Sequence, residues 1–199
     1  MKKHSKALVL LALAVILFMG VISVPRFLLY SSSVEKMDAI VLLLGEDFNA
    51  RKKQVNMLTS ERLADYLIIP AYNKTYRFFD GQVAEEFISS SDFSKNIVKN
   101  KLRSIIYENT HLEIIEAKII MSDYKFKSVV FVSSPYHMRR IKIIVSRVFG
   151  KSQGKFYFMP TRFEKAPANF WELSSKDWKN VCTEYLKIIW FLIYVNFVN

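Results

Sequence analysis

The sequence predicts an α/β protein in which a mainly parallel sheet lies between two layers of helices, preceded by one N-terminal transmembrane helix. Short apolar runs of strand length alternate with longer amphipathic stretches, which is the pattern of a parallel sheet covered by helices. The first of these runs is apolar on both faces, as central parallel strands are. A dense apolar block without charge precedes it. The length of 199 residues leaves room for one ordinary domain and a terminal appendage.

The apolar block, residues 7–24, is interrupted only at its end by Pro25 and Arg26. As a helix it approaches the roughly 30 Å of a bilayer's hydrocarbon core. Lysines precede the block and only Arg26 follows closely, so the positive-inside rule places the N-terminus in the cytoplasm and the rest of the chain outside. A cleaved signal peptide is the alternative, but it requires a shorter apolar core and a small-residue cleavage site.

These features predict a single-pass protein of a bacterial cell membrane whose folded domain lies on the extracytoplasmic side. The chain divides into an anchor at residues 1–30, a linker at 31–37 that contains a run of serines, and an α/β domain at 38–199. Such a location makes nucleic acid an unexpected partner, because the domain would be outside the cytosol.

The elements of the predicted domain follow a regular order. The first strand ends at Gly45, and the second ends before Pro70. Residues 71–100 carry mixed, weak signals. Strands are predicted at 38–45, 65–69, 104–107, 127–133 and 155–159, and helices at 50–64 and 176–198.

The last half of the C-terminal helix is apolar all round from Ile188 to Val195. This stretch is too short to span a bilayer unaided. Two interpretations stay open for it: the helix docks on the sheet, or it contacts the membrane surface beside the anchor.

A helix start is predicted near residue 110. Thr110 and Glu113 have the spacing of a capping box, in which each side chain satisfies the other's free backbone N–H. That structural role is sufficient to explain both residues. Glu108 and Asn109 precede them at the predicted corner between strand and helix.

The segment 129–149 carries the clearest chemical signature. Four apolar residues form a strand, and Ser134 at the N-cap with Pro135 at the first helical position begins a helix. His137 and Arg140 are three residues apart and therefore neighbours on that helix. They lie above the carboxyl end of a strand, where open α/β sheets bind ligands.

The start of this helix also has an unusual charge. His137, Arg139 and Arg140 occupy its first two turns, which contain no acidic residue. Cations at the positive end of a helix dipole cost stability unless an anion lies there. The pattern predicts an anion site, with solvated arginines and a histidine at the edge of the core as the alternative.

The composition favours an acidic partner and identifies no cofactor. The formal net charge of +11 suits an anionic small molecule or a lipid headgroup at the membrane, although a solvated basic surface explains it equally well. The few glycines cannot form either common phosphate-binding loop. The single Cys182 and three scattered histidines predict no metal site.

The segment Ser-Ser-Pro-Tyr-His-Met-Arg-Arg at 133–140 resembles the T-S-x-Y-H-M-x-R segment of the YdcF/SanA/ElyC family. Residues 109–113 resemble that family's N-T-x-E helix start, and the first strand followed by Arg51 resembles its first strand, turn and arginine. The resemblance covers roughly residues 38–150. It implies a Rossmann-like three-layer fold and a role in biogenesis or barrier function of the bacterial envelope.

Carried over by position, the resemblance implies a polar cleft in which His137 acts as general acid or base. The ligand-binding residues would be Gly45, Arg51, Glu108, Asn109, Thr110, Ser133, Tyr136 and Arg140. The expected ligand is anionic, phosphorylated or nucleotide-like, and clamped by Arg51 and Arg140. The alternative function is a non-catalytic envelope scaffold that binds lipid or protein and has a degenerate site.

Overall fold

The computed structural model describes residues 20, 22–45, 47–79, 82–88, 107–150 and 154–197, with only the backbone of residues 79 and 82–88. Its strands are β1 (Met37–Leu42), β2 (Ala64–Ile69), β3 (Lys74–Phe79), β4 (Gln82–Ile88), β5 (Ser128–Ser133) and β6 (Lys155–Pro160). Its longer helices are α1 (Phe48–Ser60), α2 (Asn109–Asp123), α3 (Met138–Phe149) and α4 (Ser175–Phe197). Residues 22–28 are also helical, and 3-10 turns lie at Pro70–Tyr72, Pro135–His137 and Phe170–Glu172.

The strands form one mixed sheet in the order β4-β3-β2-β1-β5-β6. Four of them, β2, β1, β5 and β6, pair in parallel, and β3 and β4 add an antiparallel hairpin at one edge. The α/β class and the mainly parallel sheet predicted from the sequence are therefore confirmed.

Alternate residues of β1 and β5 face two separate hydrophobic clusters, as the two-residue period of a strand requires. On one face, Val41 and Phe131 pack with side chains of α2, α3 and α4. On the other face, Ile40 and Val130 pack with Val55 of α1 and its neighbours. The sheet is thus covered by helices on both sides.

Most element boundaries agree with the predicted ones within a few residues. The hairpin β3–β4 was missing from the prediction, because residues 71–100 lack the fully apolar runs of the central strands. An edge hairpin needs only one buried face, so its hydrophobic signal is weaker. Residues 104–106 of the predicted strand at 104–107, and residues 1–19 and 21 of the predicted anchor at 1–30, lie outside the described residues.

Among the residues that the structure describes, no helix is long and apolar enough to cross a membrane.

The sheet order determines where the chain can form a ligand site. From β1 the chain passes to β2 on one side, and β5 and β6 lie on the other side. The carboxyl ends of β1 and β5 are therefore a topological switch point, where α/β sheets open a crevice. The segments at the carboxyl ends of these two strands, residues 43–45 and 133–137, lie at this crevice.

Candidate binding cleft

A cleft of about 920 Å³ opens at the carboxyl ends of β1, β2 and β5. The ends of β1 and β2 and the first turns of α1, α2 and α3 line it, and one side of α4 completes its wall. Seven of the predicted site residues line the cleft: Gly45, Arg51, Glu108, Asn109, Thr110, His137 and Arg140. The structure therefore brings most of the predicted site together.

Two predicted residues do not line the cleft. The Ser133 side chain is buried at the last position of β5. Tyr136 points away, into a cluster with Leu28, Val181 and Ile188, and its hydroxyl donates to the Pro167 carbonyl at 2.8 Å. Ser134, the next residue after β5, takes the place at the cleft expected for Ser133.

Arg51 lies on the floor of the cleft with 1% of its surface exposed. Its guanidinium donates to the Leu43 carbonyl at 2.8 Å, to the Leu44 carbonyl, and to Ser134 Oγ at 2.8 Å. Burial lowers the pKa of Arg51, while nearby carboxylates including Glu164 oppose that shift. Arg51 thus joins the end of β1 to the turn after β5.

Gly45 is required by this arrangement. A Cβ atom at residue 45 would lie 2.7 Å from Arg51 Nη1. The Arg51 guanidinium donates to three separate protein acceptors, so moving it aside would break these hydrogen bonds. The glycine therefore admits the close approach of the arginine to the backbone.

Arg140 is the centre of a second buried network. Its Nε donates to Glu184 Oε2 at 2.6 Å and its Nη2 to Glu184 Oε1 at 3.2 Å. Its Nη1 donates to Thr110 Oγ1 at 2.9 Å and to Glu108 Oε1. Arg140 thus ties α3 to the first turn of α2 and to α4.

The Arg140 guanidinium therefore contacts two carboxylates, Glu108 and Glu184, whose pKa values are shifted in opposite directions. Burial raises the pKa of Glu108, and the attraction of Arg140 only partly opposes it. Burial also pushes the pKa of Glu184 upward, but the nearby His137 Nε2 and the charge of Arg140 outweigh it, and the net direction is downward. Glu184 is the ionised partner of Arg140, and Glu108 is the carboxyl that more readily holds a proton.

His137 lies beside Arg140, as the spacing predicted. Its Nε2 is 3.4 Å from Glu184 Oε1, and its side chain is 29% exposed. Burial lowers the pKa of His137 to about 4, with Glu184 opposing the shift. The imidazole is therefore neutral near pH 7, with Nε2 directed to the carboxylate and Nδ1 left as the second ring nitrogen.

The structure corrects the predicted start of α3. Ser134 precedes a 3-10 turn instead of the α-helix, and its side chain makes no capping hydrogen bond. Its Oγ accepts from Arg51, and its carbonyl accepts from the His137 N–H at 3.1 Å. A buried guanidinium competes successfully for the hydroxyl, because a charge-assisted hydrogen bond is stronger than a cap.

The predicted capping box is also wrong. Glu108 is the N-cap residue of α2, without a side-chain cap, and Thr110 accepts from Arg140 instead. Glu113 Oε2 accepts from the Leu44 N–H at 3.0 Å, so it ties α2 to the end of β1. Burial raises the pKa of Glu113 to about 7, and the Leu44 hydrogen bond and Arg51 oppose the shift.

This raised pKa predicts a pH dependence of stability. The folded protein holds a proton on Glu113 that the unfolded chain releases near pH 4.5. The stabilisation is therefore greatest below pH 4.5 and is lost as the pH rises through about 7. Glu113→Gln keeps an acceptor for Leu44 but cannot ionise, so its free energy of unfolding should fall less between pH 5 and 8.

His137 acts in the opposite direction, because its lowered pKa makes the native state lose stability as the pH falls toward 4. The measurement is therefore a difference: denaturant unfolding of Glu113→Gln and of the unchanged chain at matched pH values. Parallel pH profiles of the two proteins would contradict the assignment of a raised pKa to Glu113.

Sequence reasoning missed the contribution of α4. Lys176, Asn180, Thr183, Glu184 and Lys187 line the cleft. Their spacing of three and four residues places them on one side of the helix, and this spacing could have identified the side. It could not have shown that this side faces His137 and Arg140.

The charge pattern of α3 predicted an anion near His137 and Arg140, and the protein provides part of that negative charge with a carboxylate of its own. Glu184 neutralises Arg140 and lies beside His137. Among the described residues, the remaining positive groups that line the cleft are on α4: Lys176 and Lys179 are exposed, and Lys187 is 3.6 Å from Glu184. The positive charge available to a ligand is thus at the rim more than on the floor.

Within the described ranges, no group of histidine, cysteine, aspartate or glutamate side chains has the arrangement of a metal site.

In comparisons with known proteins, no family model matches the chain, and no curated protein or solved structure matches it significantly.

Proposed function

We propose that the chain is a membrane-anchored protein of the bacterial cell envelope, related to the YdcF/SanA/ElyC family and Rossmann-like in fold, that binds a phosphorylated small molecule. The anchor is residues 1–30, and the domain lies on the extracytoplasmic side. The observation that carries the ligand assignment is the cleft at the switch point of the sheet, with a neutralised floor and a rim of lysines.

Two of the carboxylates that line the cleft are already engaged. Glu184 is paired with Arg140, and Glu113 accepts from the Leu44 N–H and holds a proton more readily than an ordinary glutamate. Lys176 and Lys179 line the mouth of the cleft, and their positively charged side chains are exposed to solvent. A phosphate group is the ligand feature that such a rim attracts.

The size and polarity of the cleft support a molecule larger than inorganic phosphate. Clefts of roughly 300–1,000 Å³ hold small-molecule ligands in proteins. Asn109 and the neutral His137 both line the cleft and offer hydrogen bonds to hydroxyl groups. A phosphorylated sugar or a nucleotide has both features.

Any chemistry in this cleft would be proton transfer. His137 is uncharged near pH 7, reachable by solvent and oriented by Glu184. The imidazole can therefore accept a proton, although a pKa of about 4 is lower than the value near the operating pH that makes a general base most effective. Arg51 and Arg140 would position the groups around it through their hydrogen bonds to Ser134 and Glu184.

The test is thermal unfolding of the full chain in detergent, with inorganic pyrophosphate as the probe and sodium sulfate at equal ionic strength as the salt control. We expect pyrophosphate to raise Tm, because a ligand that binds only the native state stabilises it. In Lys176→Ala/Lys179→Ala the shift should be lost while Tm without ligand stays within a few degrees.

The matched control is Lys52→Ala/Lys155→Ala, which removes two exposed lysines that do not line the cleft. This variant should retain the full pyrophosphate shift. An equal shift in both double variants, or none in the unchanged chain beyond that of sulfate, would contradict the proposed site.

A further inference from the structure

We infer that the outward side of α4 lies on the surface of an anionic lipid bilayer, beside the point where the apolar N-terminal segment ends. The inference rests on the membrane location in the proposed function, but not on any ligand in the cleft. Four observations support it: an exposed apolar stripe, the lack of charge around it, the place where the N-terminal segment meets α4, and a group of cations at that place.

The stripe consists of large apolar side chains at helical spacing on the side of α4 opposite the core. Their exposed fractions are 67% for Leu186, 52% for Ile189, 50% for Trp190, 48% for Ile193 and 83% for Phe197. Residues 186, 189, 190, 193 and 197 follow the spacing of three and four that defines one helix side. Such a contiguous apolar surface marks an interaction site in a protein domain.

The opposite side of α4 is already used. Ile188, Phe191 and Val195 are buried against the sheet and its helices. The helix is therefore docked on the sheet, which was one of the two interpretations left open by the sequence, and the apolar outward stripe is a second surface. No charged residue occurs from Ile188 to the C-terminus, whereas a helix side in contact with water normally carries charges.

The N-terminal apolar segment ends against the flank of the same helix. The Tyr185 hydroxyl donates to the Val24 carbonyl at 2.9 Å, and the rings of Phe27 and Tyr185 stack at 5.9 Å. Leu28 is fully buried in a cluster with Ile188. The described end of the segment, at Val24, therefore lies against α4, and a bilayer that holds the segment would lie next to the stripe.

Cations gather where the segment enters the domain. The Arg139 guanidinium lies 4.6 Å from the Phe27 ring centre and 4.9 Å from that of Tyr30, and it donates to the Phe27 carbonyl at 2.7 Å. The Lys142 ammonium is 3.9 Å from the Tyr30 ring centre. Aromatic rings with basic groups are typical of the headgroup layer, where anionic lipid attracts basic residues.

These cations favour a bilayer over a second copy of the chain as the occupant. A second copy would cover the apolar stripe but would bring the same positive charges toward one another. Phospholipid headgroups supply the opposite charge and the apolar interior together. The cleft wall and the membrane contact would then be two sides of one helix.

The test uses the full chain in nanodiscs of phosphatidylcholine and phosphatidylglycerol. The background is Cys182→Ser, which removes the chain's single, exposed cysteine. A spin label is attached through Ile193→Cys on the stripe or, as control, through Asn56→Cys on the exposed side of α1 across the sheet. Power saturation then compares access of oxygen, which concentrates in lipid, with access of a water-soluble nickel chelate.

We expect the oxygen-to-nickel access ratio to be several-fold higher at residue 193 than at residue 56. Equal ratios at the two sites in disc-bound protein would overturn the membrane contact alone. A label at 193 protected from both reagents would also overturn it and would indicate a protein contact. Protein that fails to enter the discs would contradict the anchor as well, whereas failure of the cleft proposal would leave this measurement unchanged.

Discussion

Arg140→Ala should lower the free energy of unfolding by about 3–5 kcal/mol, which is the usual cost of removing one partner of a buried ion pair. The Glu184 side chain is 2% exposed and would keep its charge without a cation in contact except the more distant Lys187. Glu108 and Thr110 would lose the same donor. Chemical denaturation at pH 7 to 8 measures the loss.

Two comparisons make this prediction specific. Arg147→Ala removes an exposed arginine from the same helix and should change stability by no more than about 0.5 kcal/mol. Lower pH should reduce the loss in Arg140→Ala, because protonation of the buried carboxyls removes the unpaired charge. A loss below about 1 kcal/mol at pH 7 would contradict the buried pair, given the magnitudes for such pairs.

Because of this structural role, alanine at residue 140 would be an unsuitable probe of ligand binding. The loss of its contacts with Glu184, Glu108 and Thr110 would disturb the cleft whether or not the guanidinium contacts a ligand. The rim lysines are better probes, since their side chains are exposed and their removal leaves the floor intact.

Arg51→Ala should be the second most costly change, with a loss of about 3 kcal/mol from unpaired buried polar groups and an unfilled cavity. The Leu43 and Leu44 carbonyls and Ser134 Oγ would all lose their donor at the junction of β1 and β5. Denaturant unfolding again gives the magnitude.

The control for Arg51 is its neighbour Lys52, which is exposed on α1. Lys52→Ala should be nearly neutral. Arg51→Lys should recover only part of the loss, because an ammonium group cannot reach several acceptors with the planar fork of a guanidinium. Full recovery by lysine would show that charge alone, without the fork geometry, holds this junction.

The local sequence was sufficient for several features. The central strands are predicted by β-branched and aromatic runs, because such residues favour a pleated, buried surface. The proximity of His137 and Arg140 followed from their separation of three residues, a distance that any helical turn closes. The position of this pair above the end of β5 followed from the order of strand and helix alone.

Prediction from the sequence failed where a side chain could form a hydrogen bond either with a local partner or with a distant one. Thr110 and Glu113 have ideal spacing for a capping box, yet Arg140 and the Leu44 N–H take their side chains. Ser134 has the identity of an N-cap, yet Arg51 takes its hydroxyl. In each case a buried group without another partner would cost more than an unmade cap.

By itself the sequence determined the α/β class, the buried strands and the local pair of His137 and Arg140. Only the tertiary structure decided which charges meet. Arg140 and Glu184 are separated by 44 residues, and Arg51 and Ser134 by 83. No local pattern encodes such contacts, because they form only when the strand order and the packing of α4 bring distant residues to one crevice. Burial in that crevice makes an unpaired charge costly, so each charged group is found with a partner.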